Sequence, residues 1–253
     1  MSRRRAVLGG RIALIAGAVA ALEMLCRSGI VDPLTLLPPS GMAAAMVAVI
    51  ASGSVTGDIL RTFTTVAVAF GLAVAFGIAV GALLHAAPRL RRALDPLLAS
   101  YYAVPLFVFY PLLVALFGLN VVPLIVLGFA SATVAMAMST LTGLDRTPRV
   151  LLKAARVHRL GRLRTALLVV LPAASPDLLT GVKLALAYAF IGIIAGEFIL
   201  SGSGLGYQIA YAYDSFDNRT MYGLMLFVLL IATAANAALH AWEQRVRRRR
   251  SGR

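Results

Sequence analysis

Glu197 and the glycines that follow it are the first residues whose types and spacing could support chemistry. Glu197 lies within an apolar stretch, residues 176–200, and the loop after this stretch contains Gly204-Leu205-Gly206. An ionisable side chain in an apolar environment is costly, so it is a functional candidate by default. The other interpretation is that Glu197 lies close enough to the end of the stretch to be hydrated. The glycines predict a tight turn and close packing of helices.

The other reactive side chains form no recognisable catalytic or metal-binding pattern. The chain has only two lysines, Lys153 and Lys183, and neither follows the glycine-rich turn of a phosphate-binding loop. The three histidines lie at or beyond the ends of apolar stretches, and no two of them are grouped with Cys or carboxylates at metal-ligand spacing. Their position also argues against an intramembrane serine protease, which needs Ser and His to face each other at membrane depth. The sequence therefore predicts no catalytic residue, no metal ion and no cofactor on this chain.

The composition identifies an integral membrane protein. Of the 253 residues, 60% are hydrophobic and only 13% are charged, and the mean hydropathy is +0.87. About a quarter of a soluble domain is charged, so the apolar side chains here must face lipid as well as each other. A bilayer is crossed by about 20 helical residues. Six segments qualify, in what we treat as one domain (1–253): residues 10–29, 60–87, 97–118, 121–143, 176–200 and 220–241.

The basic residues predict the orientation of these spans. The net charge is +14, and 24 residues are Lys or Arg. All but Arg27, Arg61 and Arg219 lie before or at the start of span one, between spans two and three or four and five, just inside span five, or after span six. Because Lys and Arg accumulate in cytoplasmic loops, both termini and the central loop are predicted to be cytoplasmic, and the charge requires no nucleic-acid partner. No arginine is expected in mid-span to hold an anion.

The central loop, residues 144–175, is a basic amphipathic insert. Thr147 suits a helix cap and Pro148 the first helical position, which predicts a helix over 148–158. One edge of this helix is basic and contains Arg146, Arg149, Lys153 and Arg156. Composition leaves two interpretations open: a loop that contacts anionic lipid headgroups, and a docking helix for a cytoplasmic partner.

The same loop resembles that of binding-protein-dependent ABC transporter permeases. The family pattern is Glu-Ala-Ala, a Gly six residues after the Glu, and a Leu-Pro that ends thirteen residues after the Gly. The matching residues here are Lys153-Ala154-Ala155, Arg159 and Leu171-Pro172. Lys153 stands in place of the Glu and Arg159 in place of the Gly. The turn is therefore predicted to shift to Gly161, followed by a second helical piece over 162–171 that ends at Pro172.

The resemblance covers nearly the whole chain and points to the nitrate, sulfonate and taurine permease branch. It rests on an ordered set of short matches: Glu23, Leu37-Pro38-Pro39-Ser40, Ala51-Ser52-Gly53, Gly77, Gly81, Asp95-Pro96, Val104-Pro105, Tyr110-Pro111-Leu112, Phe117-Gly118, Thr180-Gly181, Lys183, Glu197 and Gly204-Leu205-Gly206. The implied fold is the all-α, six-span fold of type I ABC importer permeases.

The resemblance also implies a function and partners. Such a chain is a permease subunit of the bacterial inner membrane that forms the path for a small solute, with nitrate, taurine and sulfonates as examples. It works as a permease homodimer in the lipid bilayer, with a separate cytoplasmic ATPase and a periplasmic solute-binding protein. The alternative is an ATP-independent secondary transporter or channel, which inverted repeats would support, and none is evident.

Three groups of residues receive candidate roles, the first two from this resemblance and the third from the prolines of the third span. The ATPase-coupling group is Arg149, Lys153, Ala154, Ala155, Arg156, Arg159, Gly161, Leu171 and Pro172. The group for a gate or periplasmic loop is Glu197, Gly204, Leu205 and Gly206. The group for path lining is Pro105, Tyr110 and Pro111, since prolines in the third span predict a kinked helix near the pore.

Overall fold

The computed structural model describes residues 2–30, 32, 35–101 and 104–251. All regular structure in this part of the chain is helical, which confirms the predicted all-α class. The α-helices, in chain order, are α1 (Ser2–Arg27), α2 (Pro39–Ala51), α3 (Thr56–Ala86), α4 (Pro88–Ser100), α5 (Tyr110–Phe117), α6 (Val121–Asp145), α7 (Arg149–Val157), α8 (Arg162–Thr165), α9 (Leu171–Leu200), α10 (Leu205–Asp214) and α11 (Asn218–Ser251). A 3₁₀ helix, Leu106–Phe109, precedes α5, and a π-helical turn, Ala166–Val170, joins α8 to α9.

Four helical units among the described residues are long and apolar enough to cross a membrane. They are Thr56–Ala86, Val121–Asp145, Arg162–Asp214 and Asn218–Arg245, which contain α3, α6, α9 and most of α11. These units correspond to the second, fourth, fifth and sixth predicted spans. The first predicted span lies in α1, and the third is divided between shorter helices. Helix length and composition therefore support four of the six predicted spans.

The predicted third span, residues 97–118, is not one continuous helix. After α4 the chain is extended at Pro105 (φ −72°, ψ 96°), and helix resumes with the 3₁₀ turn and α5. Proline lacks an N–H and disfavours the helical conformation of the residue before it, here Val104, so a full break replaces the predicted kink. The Tyr101 hydroxyl donates to the carbonyl of Ala130 at 2.7 Å and holds the end of α4 against α6.

Helices α3, α6 and α9 pack closely and form the core. A Cβ added to Gly77 would lie 2.6 Å from Met136 Cβ, one on Gly81 would lie 2.6 Å from a backbone carbonyl of α6, and one on Gly181 would lie 2.6 Å from Ser139 Cβ. Small residues at such contacts let helix backbones approach closely in a membrane protein, where the hydrophobic effect does not drive helices together. The core therefore depends on these glycines.

The helical piece that was predicted to end at Pro172 does not end there. The π turn continues into α9, and Pro176 lies inside that helix. A π turn widens the hydrogen-bonding ladder and so accommodates a proline that has no N–H to donate. The segment from α8 to the end of α9 is consequently one continuous helical rod.

Residues 42–51 form an apolar stretch that is too short to span a membrane, and it packs on the bundle. It lies in α2, and a Cβ on Gly223 of α11 would approach Met46 N to 2.8 Å. Helix α1 is joined to the start of α2 by Glu23, whose carboxylate accepts hydrogen bonds from Ser40 N at 3.0 Å and from Ser40 Oγ at 2.6 Å. Further along α11, Lys183 Nζ of α9 donates to Glu243 Oε2 at 2.5 Å.

Candidate functional site

The predicted functional residues lie at opposite ends of the α3–α6–α9 core. Helix α3 begins and α9 ends at one of these ends. Residues 201–206, which we call the glycine loop, connect α9 to α10 there, and we call this the glycine-loop end. Helices α3 and α6 end at the other, which we call the basic end because α7 and α8 lie there with their arginines.

The carboxyl group of Glu197 is buried at the glycine-loop end. The residue is 0% exposed. Thr62 Oγ1 of α3 lies 2.8 Å and 2.9 Å from its two carboxyl oxygens, and the Gly206 N–H donates to Oε2 at 3.0 Å. The interpretation that Glu197 is hydrated is therefore wrong, because hydrogen bonds from the protein replace water around it.

Three consecutive backbone N–H groups at the start of α10 are bound by side chains of other helices. The Gly204 N–H donates to Asp58 Oδ1 at 2.6 Å and the Leu205 N–H donates to Thr62 Oγ1 at 2.9 Å. The third is the Gly206 N–H, which binds Glu197. The first N–H groups of a helix have no partner within it and carry partial positive charge. The two acidic side chains and the hydroxyl thus fasten α10 to α3 and α9.

Two glycines permit this contact. Gly204 has φ +107° and ψ 169°, a conformation that is essentially restricted to glycine. A Cβ there would lie 2.3 Å from Glu197 Cδ, and a Cβ on Gly206 would lie 2.5 Å from the carbonyl oxygen of Ile194. Around Gly202, by contrast, nothing lies within 4 Å of an added Cβ. The structure therefore brings Glu197, Gly204, Leu205 and Gly206 together, and their roles as a gate stay a prediction.

Sequence reasoning missed Asp58 and Thr62. Thr62 is 135 residues from Glu197 in the chain, and without an alignment no pattern links the two. A local signal was present: residues four apart share a helix face, and Asp58 and Thr62 have this spacing in the first turns of a helix that is apolar from Val66 onward. Gln208 completes the group, since its Nε2 donates to Asp58 Oδ2 at 2.7 Å.

At the basic end, α7 presents its charged edge outward. Arg149, Lys153 and Arg156 are exposed, and so are Val150 (75%) and Val157 (81%). Ala155 is 2% exposed and faces the bundle, so of the two predicted alanines only Ala154 is accessible to a partner. Leu171 and Pro172, which are also exposed, start α9 beyond the π turn. The surface of α7 thus combines positive charge with apolar side chains.

The predicted cap of α7 is absent. The Thr147 hydroxyl donates back to the carbonyl of Gly143 at 3.3 Å, within the end of α6, and Pro148 is the residue that precedes α7. Proline fixes its own φ near the value a helix needs and has no N–H to leave unpaired. The helix therefore starts without a side-chain cap, and the Thr147 hydroxyl bonds back to α6 instead.

The turn after α7 is made by Arg159 and not by Gly161. Arg159 has φ +51°, whereas Gly161 has φ −65° and ψ 162°. The Leu160 N–H donates to Ala155 O and the Arg159 N–H donates to Arg156 O, both at 3.0 Å, which is the Schellman ending of a helix. The predicted shift is wrong because these two hydrogen bonds fix the left-handed residue at Arg159, where the resembling family has glycine.

We expect Arg159→Gly to strengthen this turn. A non-glycine residue pays about 1 kcal/mol for a left-handed conformation, so the glycine variant should slow hydrogen exchange of the turn amides about fivefold. Exchange of peptides that cover residues 154–162 measures this. Gly161→Ala is the matched control, since nothing lies within 4 Å of its added Cβ. Faster exchange in Gly161→Ala, with none of the expected slowing in Arg159→Gly, would contradict the assignment.

The three predicted path residues do not share one environment. Pro105 and Pro111 are exposed, whereas Tyr110 is 1% exposed. Tyr110 packs in a cluster with Leu124 and Leu127 of α6. In this conformation its ring faces the core and does not reach a solute, and path lining stays a prediction for the two prolines.

A second carboxylate group links three helices at the basic end. Asp145, the last residue of α6, binds His85 Nδ1 of α3 at 2.8 Å and accepts from Arg91 Nη1 of α4 at 2.6 Å. These contacts lie directly before α7 in the chain and join the bundle to its basic loop. Among the described residues, no group of three or more His, Cys, Asp or Glu side chains is placed to hold a metal ion.

Comparison with known proteins gives a consistent result. Residues 71–252 match the family model described as "Binding-protein-dependent transport system inner membrane component". The chain is 28% identical over 213 residues to the taurine transport system permease protein TauC of Escherichia coli strain K12. This alignment covers 84% of the present chain and 74% of TauC. It is 31% identical over 180 residues to the nitrate import permease protein NrtB of Leptolyngbya laminosa. This alignment covers 71% of the present chain and 64% of NrtB.

A third relative and a solved structure extend the comparison. The putative aliphatic sulfonates transport permease protein SsuC of Bacillus subtilis strain 168 is 28% identical over 213 residues, covering 84% of this chain and 77% of its own. A chain from the inward-facing conformations of the MetNI methionine ABC transporter superposes with a TM-score of 0.64 at 18% identity, covering 76% of this chain and 95% of that one. The fold is therefore shared with a chain of a methionine ABC transporter.

Proposed function

The chain belongs to the family of binding-protein-dependent transport system inner membrane components, and from that premise we propose how it moves its solute. It is a permease subunit of an ABC importer and not an enzyme. The taurine, nitrate and sulfonate relatives are likewise transport permease proteins. The predicted family is thereby confirmed. None of the relatives named above supports the alternative of an ATP-independent secondary transporter or channel.

We propose that the chain crosses a bacterial inner membrane six times as a single domain, with both termini in the cytoplasm. The basic end then faces the cytoplasm and the glycine-loop end faces the periplasm. This orientation is supported by the distribution of Lys and Arg along the sequence. The divided third span counts as one crossing, because irregular backbone at membrane depth is tolerated where protein buries it or where it lines a path.

The proposed assembly pairs this permease with a second copy. A cytoplasmic ATPase supplies the energy, since these 253 residues contain no phosphate-binding loop. A periplasmic binding protein delivers the solute to the glycine-loop end. The solute itself is proposed to be a small anion or aminosulfonate, as the names of the relatives suggest.

The basic loop is proposed to couple ATP hydrolysis to movement of the spans. The observation that carries this proposal is the exposed surface of α7, which places Lys153, Val150 and Val157 where another protein can reach them. Helix α7 is flanked by α6 on one side and by the continuous α8–α9 rod on the other. A push on α7 therefore acts on two core helices at once.

Glu197 and the glycine loop are proposed to be a gate element at the opposite end. Helix α9 ends at this loop, so a displacement of the rod at α7 reaches Glu197 through one rigid helix. The three hydrogen bonds that fasten α10 would have to move with α3 and α9 as a body, or break. We favour movement as a body, because breaking them would leave buried polar groups unpaired.

Copurification tests the proposed assembly. The tagged chain, expressed with the ATPase and binding-protein genes that neighbour it, is expected to retain the ATPase in detergent. A variant that lacks residues 149–157 is expected to lose the ATPase while still inserting in the membrane. Retention of the ATPase by this variant would contradict the role of α7.

Charge reversal at Lys153 is expected to weaken coupling. The ATPase groove that receives Lys153 should be acidic, so Lys153→Glu places like charges together and should lower coupled ATP hydrolysis about tenfold. The measurement is ATP hydrolysis by the reconstituted complex with its native ATPase. Arg164→Glu, an equal charge change on exposed α8, is the control and should have little effect. Unchanged hydrolysis in Lys153→Glu would refute the charge argument.

A further inference from the structure

Arg61 of α3 is a half-buried cation with an unused donor. Its Nε atom is buried, and nothing among the described residues accepts a hydrogen bond from it. A buried donor without a partner costs free energy, more so when the group is charged. An arginine that stays in such a place therefore calls for an acceptor that the chain itself does not supply.

The nearby carboxylates are already engaged. Asp58 accepts from the Gly204 N–H and from Gln208, and Glu197 accepts from Thr62 and the Gly206 N–H. Arg61 directly precedes Thr62, which binds Glu197, but no ion pair joins Arg61 to a carboxylate within the described ranges. The guanidinium therefore keeps free donors beside two occupied acids.

The position of Arg61 fits a path for solute. It lies in the second turn of α3 at the glycine-loop end, directly before Thr62, which binds Glu197. The ring of Tyr110 of α5 reaches the same end, since its Cδ2 would lie 3.5 Å from a Cβ added to Gly196 of α9. Tyr110 follows the break in the third span, where irregular backbone is tolerated only if protein covers it or a path runs beside it. Arg61 thus shares the glycine-loop end with Glu197 and Tyr110.

The chemistry of the free group selects the ligand. A guanidinium is planar, is always charged and presents paired N–H donors that match the oxygens of a carboxylate, sulfonate or nitrate. The two acidic neighbours offer Arg61 competing acceptors, so an anion would bind weakly. Weak binding suits a transport path, because a solute must enter a site and also leave it.

We propose that Arg61 binds the oxyanion group of the transported solute at the periplasmic mouth of the path. This inference rests on the proposed function and adds to it a residue that distinguishes anions from neutral solutes. It leaves intact the expectation that no mid-span arginine holds an anion, because Arg61 lies near the start of its span.

The test compares Arg61→Gln with wild type in proteoliposomes that contain the ATPase and the binding protein. The probes are radiolabelled taurine and nitrate, added separately. Arg61→Gln is expected to lower uptake about tenfold, in line with loss of hydrogen bonds to a charged group, while ATP hydrolysis stays near wild type. The number of ATP molecules spent per solute should rise in proportion. Arg61→Lys, which keeps the charge without the planar fork, should be intermediate.

Two controls separate the possible outcomes. Arg219→Gln removes an exposed positive charge at the same end and should leave uptake unchanged. If wild type imports either anion and Arg61→Gln imports it equally well, or if Arg61→Gln lowers ATP hydrolysis and uptake together, the inference is overturned and the importer function stands. If wild type imports nothing although the ATPase and binding protein are present, the proposed function itself fails.

Discussion

Glu197→Leu is expected to abolish solute-stimulated ATP hydrolysis by the assembled importer. Leucine fills the space of the side chain but accepts no hydrogen bond, so the Thr62 hydroxyl and the Gly206 N–H would be left buried and unpaired. Each unpaired group costs about 1–3 kcal/mol. A loss of that size is enough to make the fastened loop a minor conformation, and a loosened α10 cannot move with α3 and α9.

Two measurements follow the loop and the function together. Hydrogen exchange of peptides covering residues 201–210 reports whether the loop has opened, and ATP hydrolysis with and without loaded binding protein reports coupling. Glu197→Gln is the matched variant, since its amide keeps one acceptor oxygen of similar shape, and it should lose only part of both. Wild-type exchange and wild-type stimulation in Glu197→Leu would show that the buried carboxylate does not hold the loop.

Gly204→Ala is expected to have an effect of similar size, by a different physical route. The added Cβ would lie 2.3 Å from Glu197 Cδ, and alanine would have to adopt φ +107°. The backbone strain alone is about 1–3 kcal/mol, and the steric clash requires the carboxyl group or the loop to move. Stimulated hydrolysis should therefore fall to the basal rate, with faster exchange over the same residues.

Gly202→Ala is the control for this substitution. It lies two residues earlier in the same loop, and its added Cβ would meet nothing within 4 Å. If Gly202→Ala and Gly204→Ala behave alike, contact with Glu197 does not explain the effect. The double variant Gly204→Ala with Glu197→Ala sharpens this point, because two changes to one contact should be far from additive.

The sequence predicted the helices that are continuous and apolar. Its predictions were wrong or missing where prolines, or contacts between helices far apart in the chain, determine the structure. Helices α3, α6 and α11 follow directly from long apolar runs. The break near Pro105 and the continuity through Pro176 depend on how neighbouring turns accommodate a missing N–H, which residue type does not specify.

The candidate site was likewise predicted in part. Glu197 and its glycines were identified because a carboxyl group in an apolar stretch is conspicuous. Asp58 and Thr62 were missed because their contacts form only when α3 meets α10 across the fold. At Arg159, the general preference of glycine for left-handed turns favoured Gly161, and the hydrogen bonds of the Schellman ending outweigh that preference.

The structure links its two ends through one element. Helix α9 and the α8 segment before it run from the basic loop to Glu197 without interruption. Movement that an ATPase imposes on α7 therefore passes the turn at residues 158–161 and then reaches the glycine loop along one continuous helical rod. In this view Lys153 and Glu197 are two ends of one lever, and substitutions at either should affect coupling more than membrane insertion.

Solute uptake into proteoliposomes tests the central claim most directly. Vesicles that contain this permease, its ATPase and its binding protein are expected to accumulate a small solute only when ATP is present. Vesicles that contain the permease and binding protein without the ATPase are expected to accumulate none. Accumulation at an equal rate in the vesicles without the ATPase would contradict the claim that this chain is the membrane subunit of an ATP-driven importer.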